Sequence, residues 1–321
     1  MRRWNGMKLR LGVAALAAVA LGVGVTPHAQ AAGTRYLDEV FTDLKVTSDL
    51  QYGQAVGASG AMENLLLDVI EPKGDKAPIR AAVVWVHGGY FVEGSKTVPW
   101  YKTAREQFAR AGYVTFSINY RLDPNLPYGA SEAVTQNRVD ELVAATVNAQ
   151  HDAQAAIRWV RANAAKYRVD PEKIAIAGHS AGGITAQMVA FNDHDPGSSG
   201  NPGYSSRVAA AVSSAGGSLP GRMVRIDTGE PPLLVSHGLA DDVVPYPATV
   251  PTCALTVAMT NVCEQVLDPD QKHPQFRFDL WREFLYRRMI QKPVLSLPTS
   301  VTIVGAESLA TPPSPPSLPL P

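Results

Sequence analysis

Short apolar runs alternate with longer amphipathic stretches over most of the chain. Leu65–Ile70 reads as a strand. Ala81–Val86 is a continuous apolar run ending in His87-Gly88-Gly89, the signature of a buried strand entering a loop. Residues 98–110 form a helical pattern closed by Gly112, and Tyr113–Asn119 is the next strand. Residues 139–167 carry a long helical stripe with Ala155, Ala156, Trp159, Val160 and Ala164 on one face, broken by Asp170-Pro171. Strands follow at 173–177, 208–213, 233–237 and 263–267, with helices at 181–190, 246–260 and 276–290. Such alternation predicts an α/β fold with a mainly parallel sheet covered by helices on both faces. In that architecture, loops that follow strands gather on the edge where chemistry occurs. The polar stretch 192–206 follows a helix instead, so it is expected to be a surface loop away from the chemistry, with His194 solvated.

The two ends depart from this pattern. Arg2, Arg3, Lys8 and Arg10 precede an uncharged apolar run from Leu11 to Val25, and Ala29-Gln30-Ala31 supplies a small-x-small cleavage site. The run has 15 residues, short of the roughly 20 that span a bilayer. Residues 1–31 are therefore expected to be a cleaved export signal, leaving a secreted protein with no stable membrane insertion. From Lys292 on, the chain holds eight of its 25 prolines. Residues 291–321 are expected to lie outside the fold as a Pro-rich tail. The expected domain is then 32–290, with no internal repeat.

Composition narrows the partners. The chain of 321 residues is 45% hydrophobic and 18% charged, enough apolar residues for a sizeable core. Lys+Arg and Asp+Glu both number 29; removing the four basic residues of the leader leaves 25 against 29. No basic excess remains to attract a nucleic acid. Export implies an oxidising compartment, so the two cysteines, Cys253 and Cys263, are expected to form a disulfide. It would contribute about 2–3 kcal/mol in the chain-entropy model. A cysteine pair without histidines at ligand spacing is no zinc site, and no metal or organic cofactor is implied.

Gly178-His179-Ser180-Ala181-Gly182 falls where a strand turns into a helix, the context of a G-x-S-x-G nucleophile elbow. A serine hydroxyl needs a base. Of seven histidines, His28 leaves with the leader, His151 is on a helix, and His194 is on the wrong edge. His179 is the elbow's own x residue, and His87 and His237 are strand-end residues followed by glycine, expected to shape their turns. His273, in the loop after strand 263–267, is assigned as general base and acid. Its orienting carboxylate is Asp241 or Asp242, at the next strand end, with Asp241 preferred. His87-Gly88-Gly89-Tyr90 offers backbone N–H donors for an oxyanion, and the N–H of Ala181 is the other contributor.

The elbow, the His-Gly-Gly loop and Asn119-Tyr120-Arg121-Leu122 together resemble the α/β-hydrolase superfamily, and within it secreted carboxylesterases and lipases of the hormone-sensitive-lipase-like and feruloyl-esterase-like groups. The resemblance covers residues 36–290. It implies an α/β-hydrolase fold with a short cap loop, oxyanion donors at Gly89 and Tyr90, and the acid at Asp241 through the match of 237–245 to His-Gly-x-x-Asp-x-x-Val-Pro. Two departures stand out. Tyr90 replaces a third glycine, and His273 is flanked by Lys272 and Pro274 rather than preceded by glycine.

The expected activity is hydrolysis of small-molecule carboxylic esters, of short-to-medium acyl or aryl type, through a Ser180–His273–Asp241 triad and an acyl-enzyme. Residues 121–138 are expected to form the cap, with Tyr90, Phe91, Trp100, Tyr101 and Tyr128 as candidate pocket walls. The same fold hosts amidases, peptidases and acyltransferases, and also non-catalytic binding modules.

Overall fold

The computed structural model describes residues 33–126, 136–218, 223–273, 276–291 and 301–303. The leader, half of the cap and most of the tail therefore lie outside the described residues. Nine described strands form one sheet in the order β1-β2-β4-β3-β5-β6-β7-β8-β9. β1 (Leu44–Val56) and β2 (Met62–Pro72) are an antiparallel hairpin, and β2 pairs antiparallel with β4 (Val114–Ile118). From there the sheet is parallel through β3 (Arg80–Val86), β5 (Val169–His179), β6 (Ala210–Ser214), β7 (Leu233–Gly238), β8 (Cys263–Asp268) and β9 (Val301–Ile303).

Every residue of β3 is buried, as a strand covered on both faces requires. Its alternation divides the core. Ala82, Val84 and Val86 face one apolar cluster with α2 (Gln136–Ala162) and α4 (Ala181–Phe191). Ala81, Val83 and Trp85 face the other, with α1 (Pro99–Arg110) and α6 (Phe278–Leu285). Trp85 meets Phe108 edge-on at 5.0 Å and stacks on Trp281 at 6.2 Å.

Several boundaries differ from the sequence reading. β1 has no sustained apolar run; it is a mostly exposed outer strand with two register shifts, and only Tyr52 is fully buried along it. The long helix breaks at Asn163, giving α2 and the single turn α3 (Ala164–Tyr167), which Arg168 closes in the left-handed conformation at φ 49°. Asp170-Pro171 falls inside β5, where the register jumps from Arg80↔Val169 to Ala82↔Ile174 and the proline bulges out of the ladder. The helix expected over 246–260 is a 3-10 turn (Tyr246–Ala248) followed by α5 (Val250–Ala258). α6 runs into a π-helical turn at Tyr286–Ile290, where Arg287 and Arg288 bond Glu264.

Residues 291–321 were expected to stay outside the fold, yet Val301–Ile303 pairs parallel with Gln265–Leu267 as β9. The triplet Val301-Thr302-Ile303 is wholly β-branched and lies between, not on, the prolines, so it can add to a sheet edge. Cys253 on α5 is disulfide-bonded to Cys263 at the start of β8, with Cα atoms 5.5 Å apart. Among the described residues no helix is long and apolar enough to cross a membrane.

Candidate active site

Three strand ends on the carboxyl edge of the sheet bring the site together. β5 ends at His179 and α4 begins at Ala181, so a single residue, Ser180, makes the whole turn. It does so at φ 54° and ψ −124°, a conformation that L-residues seldom adopt. Two glycines make room for it. A Cβ on Gly178 would collide with the carbonyl oxygen of Gly182, and one on Gly182 with that of Val86. The serine is thereby held at the mouth of the sheet, at the N-terminus of a buried helix.

His273 reaches Ser180 from the loop after β8. Its Nε2 is 2.9 Å from Ser180 Oγ, and its Nδ1 is 2.9 Å from Asp241 Oδ2 and 3.1 Å from Oδ1. The glycine missing before His273 is offset elsewhere. Gly238 has no Cβ, which would otherwise strike the carbonyls of Gln271 and Lys272. The His273 loop can therefore lie directly on the end of β7, tied by the Leu239 and Ala240 N–H groups to the carbonyls of Asp268 and Gln271.

Asp241 and Asp242 occupy different surroundings. The Asp241 carboxylate is buried, and its Oδ1 accepts the N–H groups of Val243 and Val244 at 2.9 Å each. His237, whose part here sequence reasoning missed, braces the same turn: its Nε2 donates to Val244 O at 2.7 Å and lies 3.3 Å from Asp241 Oδ2. Its strand-end glycine suggested a turn-shaping role only; the i, i+4 spacing to Asp241 was the available signal. Asp242 is exposed and sits 3.5 Å from the Lys272 ammonium.

The 87–96 loop closes the other side. Gly89, Tyr90 and Phe91 have φ of 119°, 55° and 65°, and the N–H groups of Val92 and Glu93 bond back to Gly89 O. A Cβ on Gly88 would touch His179 O at 2.9 Å and Ser180 Cβ at 3.1 Å, so this glycine lets the loop press on the elbow. The loop is fixed from below. Tyr120 donates its hydroxyl to His87 O at 3.0 Å, and Lys96 bonds Asp68 at 2.6 Å and Asp49 at 2.9 Å. Gly89 and Tyr90 line the same cavity as Ser180 and His273, about 460 Å³ in volume, with Glu93, Phe276 and His179 completing the wall. Ala181 opens α4, and its N–H is one of the first-turn donors that have no acceptor within a helix.

Of the expected pocket aromatics among the described residues, only Tyr90 lines this cavity. Phe91 and Tyr101 belong to the two core clusters, at 1% and 3% exposure. They follow strand and helix burial, which the bare residue types did not disclose. Tyr128 and the side chain of Trp100 lie outside the described residues. The 192–206 loop is more firmly held than a solvated loop. Ser199 is buried and donates to Asp152 Oδ1 at 2.6 Å, while Arg121 bonds the same carboxylate at 2.8 Å. His194 is exposed, and His151 meets Asp195 at 3.1 Å. Among the described residues no group of three or more His, Cys, Asp or Glu side chains could hold a metal ion.

Burial sets the charge of two histidines near the site. His87 is pushed down to about 4, opposed only by its bond to Gly88 O. His179 is pushed down to about 3, by burial first and then by the nearby His273 and His237. Both are neutral when folded but protonate near 6.5 when unfolded. Their folded values are the lower ones, so stability is full above pH 6.5 and falls as pH drops toward 4. At about 1.4 kcal/mol per pH unit for each group, urea midpoints converted to free energy should fall by roughly 4 kcal/mol between pH 7.5 and pH 5. A flat profile over that interval would contradict the assignment of two buried neutral imidazoles.

The BD-FAE family signature matches residues 67–218 of this chain, a segment that contains the 87–96 loop and the elbow. Lipase 1 of Geotrichum candidum is 33% identical over 180 residues, covering 53% of this chain and 29% of the lipase. Esterase LipQ of Mycobacterium tuberculosis is 31% identical over 172 residues, covering 53% of this chain and 34% of the esterase. The chain thus spans about a third or less of these relatives' length. The solved structure of the thermophilic esterase Est2 of Thermogutta terrifontis, with butyrate bound, superposes with a TM-score of 0.54 at 25% identity, over 70% of this chain and 89% of Est2. The fold is that of the α/β-hydrolases. Within that superfamily the chain is related to proteins named esterases and lipases, in line with the hormone-sensitive-lipase-like and feruloyl-esterase-like resemblance of its motifs.

Proposed function

We propose that this protein is an exported serine carboxylesterase. The observation that carries the reading is the unbroken contact from Asp241 through His273 to Ser180 Oγ, both links 2.9 Å, opening on a cavity with an apolar aromatic wall. In the proposed cycle His273 Nε2 takes the hydroxyl proton as Ser180 Oγ attacks the ester carbonyl. The N–H groups of Gly89, Tyr90 and Ala181 receive the developing oxyanion. His273 then gives the proton to the leaving alcohol, and an acyl-Ser180 remains. Water attacks that acyl group with His273 again as base, releasing the acid and restoring Ser180. Asp241 keeps the proton of the resting imidazole on Nδ1, so that Nε2 is the free acceptor, and it stabilises the imidazolium.

Export is part of the same proposal. Its support is the basic start, apolar run and Ala29-Gln30-Ala31 of the leader, together with a cysteine pair suited to an oxidising compartment. A cavity of about 460 Å³ accommodates a small ester rather than a long lipid chain. The test is hydrolysis of p-nitrophenyl esters from acetate to palmitate. The expected result is turnover that is highest for the short and medium acyl groups and falls steeply toward palmitate. Absence of turnover across the whole series, in a folded protein, would overturn the reading.

A further inference from the structure

The mechanism above leaves one buried titratable group beside the reacting atoms unused. His179 is the last residue of β5, between Gly178 and the nucleophile, and it is 1% exposed. Its Nδ1 hydrogen-bonds Ser214 Oγ at 3.2 Å, which fixes the ring from the β6 side. Its ring centroid lies 4.9 Å from that of His273, with 49° between the planes, and 4.9 Å from that of Phe276, at 54°. The His179 ring therefore packs against the His273 ring at an inclination, and Phe276 packs against His179 in the wall of the same cavity.

The two hydrogen bonds of His273 run to Asp241 at one end and Ser180 at the other. They fix the line between its nitrogens but leave the ring free to tilt about that line. A flat neighbour in contact with the ring removes the tilt. It also keeps water from one side of the imidazole, and desolvation of that kind disfavours the charged form. We infer that His179 is a positioning residue for His273: a flat wall that holds the general base in plane and dry on one side. The inference rests on the proposed role of His273.

The other groups around this pair are accounted for. Asp241 is on the far side of His273, with His237 behind it. The Tyr101 phenol meets the His179 backbone, and Tyr90 and Glu93 stand across the cavity. Burial holds His179 down to about 3, so the wall does not become a competing cation near neutral pH.

Two substitutions separate the ring from its hydrogen bond. His179→Asn keeps a polar partner for Ser214 and removes the ring. His179→Phe keeps a flat ring and removes the polar partner. For H179N the expected result is a kcat about tenfold lower or worse, consistent with the sensitivity of catalysis to small misplacements, with KM within about twofold. The acid limb of its kcat/KM profile should rise by about half a pH unit as water reaches the imidazolium. For H179F, kcat should return to within about threefold of the parent and the acid limb to its original place. A parallel loss in both variants, or an H179N protein with unchanged kcat and acid limb, would overturn the inference. If H179N does not fold, His179→Gln makes the same comparison.

An NMR titration of the His273 ring in the resting proteins needs no turnover. It should rank them in the same order, with the asparagine variant displaced upward and the phenylalanine variant close to the parent. Should the parent fail to hydrolyse esters, only the proposed activity fails, and the titration order still decides the role of His179.

Discussion

Replacing Ser180 with alanine lowers kcat/KM toward a short p-nitrophenyl ester by about 10⁴–10⁶-fold. The change removes one oxygen atom and little else. Ser180 can hold φ 54° because Gly178, Gly182 and Gly88 leave room for the tight turn, and none of those contacts involves the hydroxyl. The hydroxyl's partner, His273 Nε2, lines an open cavity and regains a hydrogen bond from water. The melting temperature should therefore change by only a few degrees, so that the loss is one of chemistry rather than of folding. Retention of more than about a tenth of the activity would place the nucleophile elsewhere.

The second large effect comes from one atom of the acid. Asp241→Asn is expected to lower kcat by about 10⁴-fold. The carboxylate accepts from three donors, the N–H groups of Val243 and Val244 and His273 Nδ1, while His237 Nε2 gives its proton to Val244 O and stands 3.3 Å from Oδ2. An asparagine satisfies the two backbone donors with its oxygen and turns its NH₂ toward His273. Nδ1 must then accept, which moves the imidazole proton to Nε2, the atom that has to take the proton of Ser180. Asp242→Asn is the control. That side chain is exposed and paired only with Lys272, so kcat should stay within about twofold. Equal losses in the two variants would remove Asp241 from its proposed role.

Much of this arrangement was legible in the sequence because strand ends were. The apolar runs at 81–86, 173–177 and 233–237 each stop at a chemically distinctive residue, and a parallel sheet gathers all such stops on one edge. What stayed hidden has identifiable causes. β1 is amphipathic only weakly, since it is an outer strand with two register shifts, and its pattern does not repeat every second residue. β9 is three residues inside a proline-rich segment whose overall composition outweighed them. Asp241 and Asp242 are adjacent and chemically identical, and only the turn that bonds Val243 and Val244 to the first distinguishes them. Phe91 lies within the 87–96 loop and Tyr101 just beyond it in α1, yet they point into opposite core layers, which depends on the loop's run of positive φ angles and on the register of α1. His179, the elbow's own x residue, carries no local sign of a role beside His273. Its contact with His273 requires β5 and the loop after β8 to be superposed in space, and no local pattern encodes that.

Ser180 as the nucleophile is the central claim, and a fluorophosphonate ester tests it without any assumption about the natural substrate. Est2, the Thermogutta terrifontis esterase that shares this fold, has been solved with a phosphorus adduct from tabun. The predicted result for the present protein is a single adduct by intact mass, mapping to the peptide that contains Ser180 and absent from Ser180→Ala. A folded protein that takes up no label, or takes it up with equal yield in the alanine variant, would contradict the account.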